Sequence, residues 1–417
     1  MEGGNYRDKP LWKLLLWAAL LGIVGSAGIM LYIVAVDILK AVLWPEVNYD
    51  PFSMPWWVVA IFTASGLIVG IMYHVKDFSG GGLAEMMTSP HMDHSKLPWQ
   101  LINGFITLVG GFSLGPETPA LLVAGGTTSW VTEKRGFTED DARDVFTASV
   151  SGSFGGLFSS PFVGVLMAME MSNPSRKEFT RALALDAIAA VSGFAIFYSI
   201  IGINPEIGFI DLPAYDFQTW HIVAGVLLGV LGAGVGIIFG SSIGLMNRIL
   251  SPLKDKPLIR CTLMGFLLGL LAFSLPLTLF FGLEQLEHVF EYASTIGVIL
   301  LLLAIIARIL ATSGALASGF IGGPIFPTFF IGGTLGAIIT IIFPGMPIAL
   351  TAGALAAAIP AAILPIPISI SIFAMMILGL STGEVVPVIT AGVVSYVIVQ
   401  SIKARAVKRN GSMEAVE

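Results

Sequence analysis

The sequence predicts an all-α integral membrane protein whose helices are interrupted at glycine and proline. Three observations carry that reading. Of 417 residues, 55% are hydrophobic and only 12% are charged. The charges cluster between long neutral runs: Ile309 to Gly383 holds no Asp, Glu, Lys or Arg. A spanning helix needs about 20 apolar residues, so that run accommodates three crossings or several shorter helices. Finally, Glu117 is the one charged residue between Leu97 and Thr132, inside Gly115-Pro116-Glu117-Thr118-Pro119. A charge at membrane depth is costly and points to function, and broken helices persist in a bilayer only where they line a cavity or lie buried in protein.

The same composition narrows the alternatives. There is no basic patch with interleaved aromatics, so nucleic acid is excluded as a partner. The single Cys261 permits no internal disulfide and supplies no metal-site spacing. No cofactor and no metal are expected. The first apolar segment, Leu14 to Val36, is too long for a signal-peptide core and is read as a retained membrane helix.

Candidate spans in chain order are 12–41, 55–74, 97–114, 116–132, 145–170, 182–203, 218–247, 258–282, 293–315, 325–343, 346–380 and 385–402, some of which should divide at Gly and Pro. Basic residues set the expected orientation. Arg7, Lys9 and Lys13 precede the first span, and Lys403, Arg405, Lys408 and Arg409 follow the last. Basic connections near 76–96, 134–143, 176–181 and 248–260 alternate with acidic ones carrying Glu46 and Asp50, then Glu206, Asp211 and Asp216, then Glu284, Glu287 and Glu291. The basic connections and both termini are therefore placed in the cytoplasm, in a cell (inner) membrane.

A repeat is visible in the motifs. Gly115-Pro116-Glu117-Thr118-Pro119 leads to Gly125-Gly126, and Gly323-Pro324-Ile325-Phe326-Pro327 leads to Gly332-Gly333, 208 residues later. About 40 residues beyond each motif comes a proline-containing segment, Ser159-Ser160-Pro161-Phe162 and Leu364-Pro365-Ile366-Pro367. Paired Gly/Pro-interrupted apolar segments in two halves mark a transporter binding site. The corresponding domains are 1–210 and 211–403, with a short tail, 404–417, and no further cytoplasmic module expected.

At these residues the chain resembles the CLC family of chloride channels and proton-coupled chloride transporters. The Gly115–Pro119 motif matches the family's Gly-x-Glu-x-Pro signature. Gly323–Pro327 matches its Gly-x-Phe-x-Pro signature with the Phe one place late. The run Phe154 to Leu166 is similar to the family's dimer-interface helices, and Ala307-Arg308 and Ala317-Ser318-Gly319 also fit. The resemblance implies an inverted-repeat bundle with broken and re-entrant helices, a homodimer, and chloride or another small anion and protons as the transported species. It looks most like a short bacterial branch of the family.

The resemblance also implies a site. Glu117 becomes the gate and Glu170, in Met169-Glu170-Met171, the internal proton acceptor; as a residue alone, Glu170 can equally be an interfacial carboxylate pairing with Arg176 or Arg181. The anion would be held by Ser79 and Gly80 of a partly met first signature, by Gly115, Pro116 and Thr118, by Gly323, Ile325 and Phe326, and by Tyr396 in place of the family's late tyrosine. The basic residue common before the gating glutamate is here Pro116, and Pro324 removes one amide donor.

The physics of the residues agrees. Helix N-termini attract anions through free amides and the positive end of the dipole without a full counter-charge. Pro119 and Pro327 suit first turns of helices, and the neighbouring glycines allow close backbone approach.

Other signals weigh less. Gly111-Phe112-Ser113-Leu114-Gly115 matches a nucleophile-elbow pattern, but the five histidines all fall in connections or at span ends, so an enzyme is not expected. His91 and His94 around Asp93 read as a solvated connection. Gly66 with Gly70, and Gly225, Gly229, Gly232 and Gly236, have small-residue spacing for close helix contact, and Arg308 is expected to bind backbone carbonyls or a helix end. The expected function is transmembrane anion transport, as a proton-coupled chloride exchanger gated by Glu117; a passive anion channel or a transporter for another halide such as fluoride is the alternative.

Overall fold

Glycine, proline and a few serines decide where many of the helices start and stop. The computed structural model describes residues 9–44, 54–78, 92–202 and 210–414. Ser79, Gly80 and the rest of the first signature lie outside the described residues, as does His91. Among the described residues the helices in order are α1 (Leu11–Leu43), α2 (Trp57–Val75), α3 (Leu97–Val109), α4 (Glu117–Arg135), α5 (Glu139–Leu157), α6 (Pro161–Ser172), α7 (Phe179–Ile201), α8 (Trp220–Leu250), α9 (Pro257–Ser274), α10 (Leu283–Ile296), α11 (Val298–Ala317), α12 (Ile325–Ile342), α13 (Ile348–Ile363), α14 (Pro367–Ile377) and α15 (Val385–Glu414). Eight of them are long and apolar enough to cross a membrane, and α3, α6, α13 and α14 are shorter apolar helices.

Several expected spans divide or shorten, each for a local reason. The span 97–114 ends at Val109, because Gly111 turns the chain at φ +83°. The span 145–170 becomes α5 and α6. Between them Ser159 takes φ +51°, the Ser160 hydroxyl accepts the Val163 amide at 3.3 Å, and Pro161 opens α6 where its missing N–H costs nothing. The span 346–380 splits in the same way, with Pro367 opening α14. Gly297, at φ +81°, separates α10 from α11 within the expected span 293–315. Finally, α5 begins earlier than expected because Thr138 caps the Asp141 amide at 3.2 Å and three acids occupy the first turn, where the helix dipole favours them.

The chain forms two compact units. The first is Met1–Gly208, Ile243–Gln285 and Ile306–Pro327. Here α1, α5 and α7 touch backbone to backbone: a Cβ added at Gly22, Gly152 or Gly193 would strike main-chain atoms of a neighbouring helix. Gly66 of α2 and Gly265 of α9 do the same for that pair, as the small-residue spacing anticipates. Trp44, Phe62, Phe112, Phe280 and Phe320 form a buried aromatic cluster. At the start of α7, Arg181 forks to Asp141 and Asp144 at 2.6 Å each.

The second unit is Phe209–Ser242, Leu286–Ile305 and Thr328–Glu417. In it Gly225 and Gly229 of α8 seat against Pro387 and Ala391, and Gly232 and Gly236 against Ala358 and Ala362. Glu384, buried in the turn before α15, accepts the amides of Tyr215 and Ser381 at 2.7 Å each, tying the segment before α8 to the end of α14.

Candidate functional site

The two repeated motifs meet directly. Gly115 and Gly323 form an antiparallel bridge in which each amide donates to the other's carbonyl at 2.8 Å. One residue beyond each bridge is a proline, and immediately after it a helix begins: α4 at Glu117 and α12 at Ile325. The first turns of two helices thus converge on one point, with Pro119 and Pro327 in those turns.

The Glu117 side chain occupies that point. It is fully buried, and its Oε1 accepts the Phe326 amide at 3.1 Å, a first-turn donor of α12 with no partner inside its own helix. The amides of Ile325 and of Glu117 itself also bear on the carboxylate. Oε2 has no hydrogen-bond partner. It lies against the glycine bridge: a Cβ at Gly115 or Gly323 would collide with it. Only glycine leaves room there, which explains why both motifs carry it.

The surrounding frame holds this point in place. Asn103 of α3 gives its amide NH₂ to the Gly319 carbonyl at 2.9 Å and accepts the Ile321 amide at 3.1 Å, fixing the approach to the second motif. The Tyr73 hydroxyl bonds the same Gly319 carbonyl at 2.9 Å. The Phe326 ring packs between Phe158, with centroids 5.7 Å apart, and Phe281, at 5.0 Å. Arg308, fully buried in α11, donates to the carbonyls of Leu277, Leu279 and Phe280 and to the Ser113 hydroxyl. It moors the turn at Phe280, whose φ is +50°, and so holds backbone carbonyls, as expected from its isolation in an apolar helix. Ser113 is engaged by Arg308 and by Thr312 at 3.1 Å.

The structure therefore gathers Glu117, Gly115, Pro116, Thr118, Gly323, Ile325 and Phe326, with Thr118, Ile325 and Phe326 buried. Glu170 lies in the last turn of α6, half-buried, between Met169 and Met171. Tyr396 is half-buried within α15. Among the described residues no group of His, Cys, Asp and Glu could hold a metal ion; His94 faces Glu133 at 3.2 Å.

One buried acid escaped the sequence reading. Asp186, in the second turn of α7, is fully buried and neither carboxylate oxygen has a hydrogen-bond partner, while its backbone carbonyl accepts the Ser151 hydroxyl at 3.0 Å. The signal was present in the expected span 182–203, where Asp186 is the only charged residue.

Comparison with known proteins gives the family and the fold. The family model described as "Voltage gated chloride channel" matches residues 64–400. The ion-transport protein YfeO of Salmonella newport, whose assignment is itself provisional, is 26% identical over 361 residues, covering 83% of this chain and 84% of the relative. Its counterpart in Salmonella typhimurium matches equally. Among solved structures, a slow cyanobacterial Cl⁻/H⁺ antiporter superposes with a TM-score of 0.78 at 20% identity, over 95% of this chain and 96% of that one. A CLC-type fluoride/proton antiporter gives 0.78 at 19% identity, over 94% and 96%. The fold is that of the CLC transporters. The chain belongs to the voltage-gated chloride channel (CLC) family of membrane anion transporters.

Proposed function

We propose that this protein exchanges chloride for protons across the membrane, with Glu117 as the gate. The observation that carries the reading is the position of its carboxylate: it starts α4 and accepts the Phe326 amide at the start of α12. An ionised carboxylate there occupies the place that an anion would take, using the same first-turn amides and the same dipoles. Protonation removes the charge that those donors attract. The neutral side chain then yields the site to an incoming anion, and its return to the ionised form releases the proton. One residue thereby alternates between the two transported species.

Glu170 supplies the internal proton end of this cycle, at the last turn of α6 and apart from the Gly115–Gly323 bridge in sequence. The remaining anion contacts are the backbone amides of Thr118, Ile325 and Phe326, joined by Ser79, Gly80 and Tyr396; Gly115 and Gly323 give their amides to each other and Pro116 has none, so these three shape the site without donating to the ion. The protein works as a homodimer through the segment Phe154 to Leu166, at the end of α5 and the start of α6, in the inner membrane, with both termini cytoplasmic.

The test is simultaneous measurement of anion and proton movement in proteoliposomes holding the purified protein. Chloride efflux that drives opposing proton uptake is the expected result. Anion flux with no linked proton movement would replace the exchanger by a passive channel. A second reading, exchange of fluoride, is favoured by the equal likeness to the fluoride/proton antiporter; the same vesicles loaded with fluoride decide it.

A further inference from the structure

A small cleft in the first unit is lined by residues beside Glu117 in the gate motif, and one cation lines it too. The cleft is lined by Leu114 and Pro116 of the gate motif, by Phe280 and Phe281, and by Val36 and Lys40 of α1. Among its walls are Pro116, the residue before Glu117, and Phe281, whose ring packs against Phe326. Lys40 sits one turn from the end of α1, its ammonium 4.8 Å from the centre of the Phe280 ring. Its side chain is only 17% exposed. Asp37, the more exposed partner, forms an ion pair with it at 3.9 Å.

The charge pattern makes this lysine unusual. Between Lys13 and Lys76 it is the only Lys or Arg in the chain. The connections of the same parity in the chain, 202–219 and 275–297, carry acids and no Lys or Arg. In the gate motif itself the position before Glu117 is a proline and contributes no charge.

We propose that Lys40 is the anion-recruiting residue of the entry cleft, drawing a small inorganic anion to the Pro116 end of the path and so supplying from α1 the positive charge that the gate motif lacks. This rests on the proposed transport function. A lysine, as a compact and strongly hydrated point charge, suits transient capture, and low-dielectric cleft walls focus its field. The arrangement of Asp37 next to it moderates the attraction and lets the ion move on, as conduction requires.

The test uses proteoliposomes and chloride flux at graded external chloride. Lys40→Met should raise the half-saturating chloride concentration about fivefold or more, with the maximal rate and the proton-to-chloride ratio unchanged. Asp37→Asn should lower that concentration. A merely structural lysine is distinguished by Lys40→Cys, treated from the outer solution with impermeant thiol reagents: a cationic adduct should restore the wild-type concentration dependence and an anionic one should worsen it. Cys261 is fully buried and does not compete for reagent. If the two adducts behave alike, or if Lys40→Met saturates like the wild type, Lys40 has no recruiting role although the exchanger reading stands. A wild-type protein that passes no anion would overturn the transport reading and this proposal with it.

Discussion

Replacing Glu117 by glutamine gives the sharpest test of the gate. The side chain keeps its shape, so packing against Gly115 and Gly323 is retained, but the carboxylate charge and its proton-binding capacity are gone. The Phe326 amide, 3.1 Å from Oε1, changes from a donor to a charged acceptor into a donor to a neutral one. Hydrogen bonds to charged groups contribute about 1.5–3 kcal/mol net and neutral ones about 0.5–1.5 kcal/mol. The difference between midpoints, about 1.25 kcal/mol, is a factor approaching ten in how well the side chain competes with an anion for that amide. Glu117→Gln should therefore bind chloride about tenfold more tightly in detergent, measured by calorimetry, because its competitor has weakened. In vesicles chloride efflux should persist while linked proton uptake falls to the level of protein-free liposomes. Proton uptake that continues at the wild-type ratio to chloride would refute the reasoning, because glutamine has no proton to exchange at any working pH. Unchanged chloride affinity would refute the competition argument separately.

Three further outcomes follow from the same geometry. Glu170→Gln should reduce proton flux strongly and leave anion flux and thermal stability nearly unchanged; equal loss of both fluxes, or of neither, would make Glu170 an interfacial carboxylate and favour a channel. Arg308→Met removes the donors to three buried carbonyls, of Leu277, Leu279 and Phe280, and at about 1–3 kcal/mol for each buried group left unsatisfied it should lower the unfolding temperature in detergent well below that of Arg308→Lys, a pattern that equal melting of the two variants would contradict. For orientation, Asp211→Cys and Glu287→Cys place thiols at exposed positions on acidic connections and should react with an impermeant maleimide on intact cells, whereas protection of both would invert the topology.

The path from sequence to site was short where the chemistry is local. Gly and Pro act within a few residues of themselves, so the starts of α4 and α12 were readable at the two repeated motifs, at Glu117 and Ile325. Membrane class was equally plain, because a charge-free run from Ile309 to Gly383 has few alternatives. Glu117 stood out for the same reason: a lone charge among apolar residues is visible in one dimension. The division of 145–170 and 346–380 was harder to see, since apolar side chains continue across the break and only the backbone at Ser159 and Leu364 changes course.

What the sequence determined by itself was the chemical inventory: an all-helical membrane chain, a repeated glycine-proline motif, and one acid in the middle of it. Tertiary structure alone decided that Gly115 pairs with Gly323 across 208 residues, that the amide donating to Glu117 belongs to Phe326, that Arg308 is spent on the turn at Phe280, and that Lys40 shares a cleft with Pro116. The physical reason is that these contacts join residues far apart in the chain. Helix propensity and hydrophobic period describe a residue's neighbours along the chain, whereas the first-turn amides of a helix remain open donors until folding brings them an acceptor.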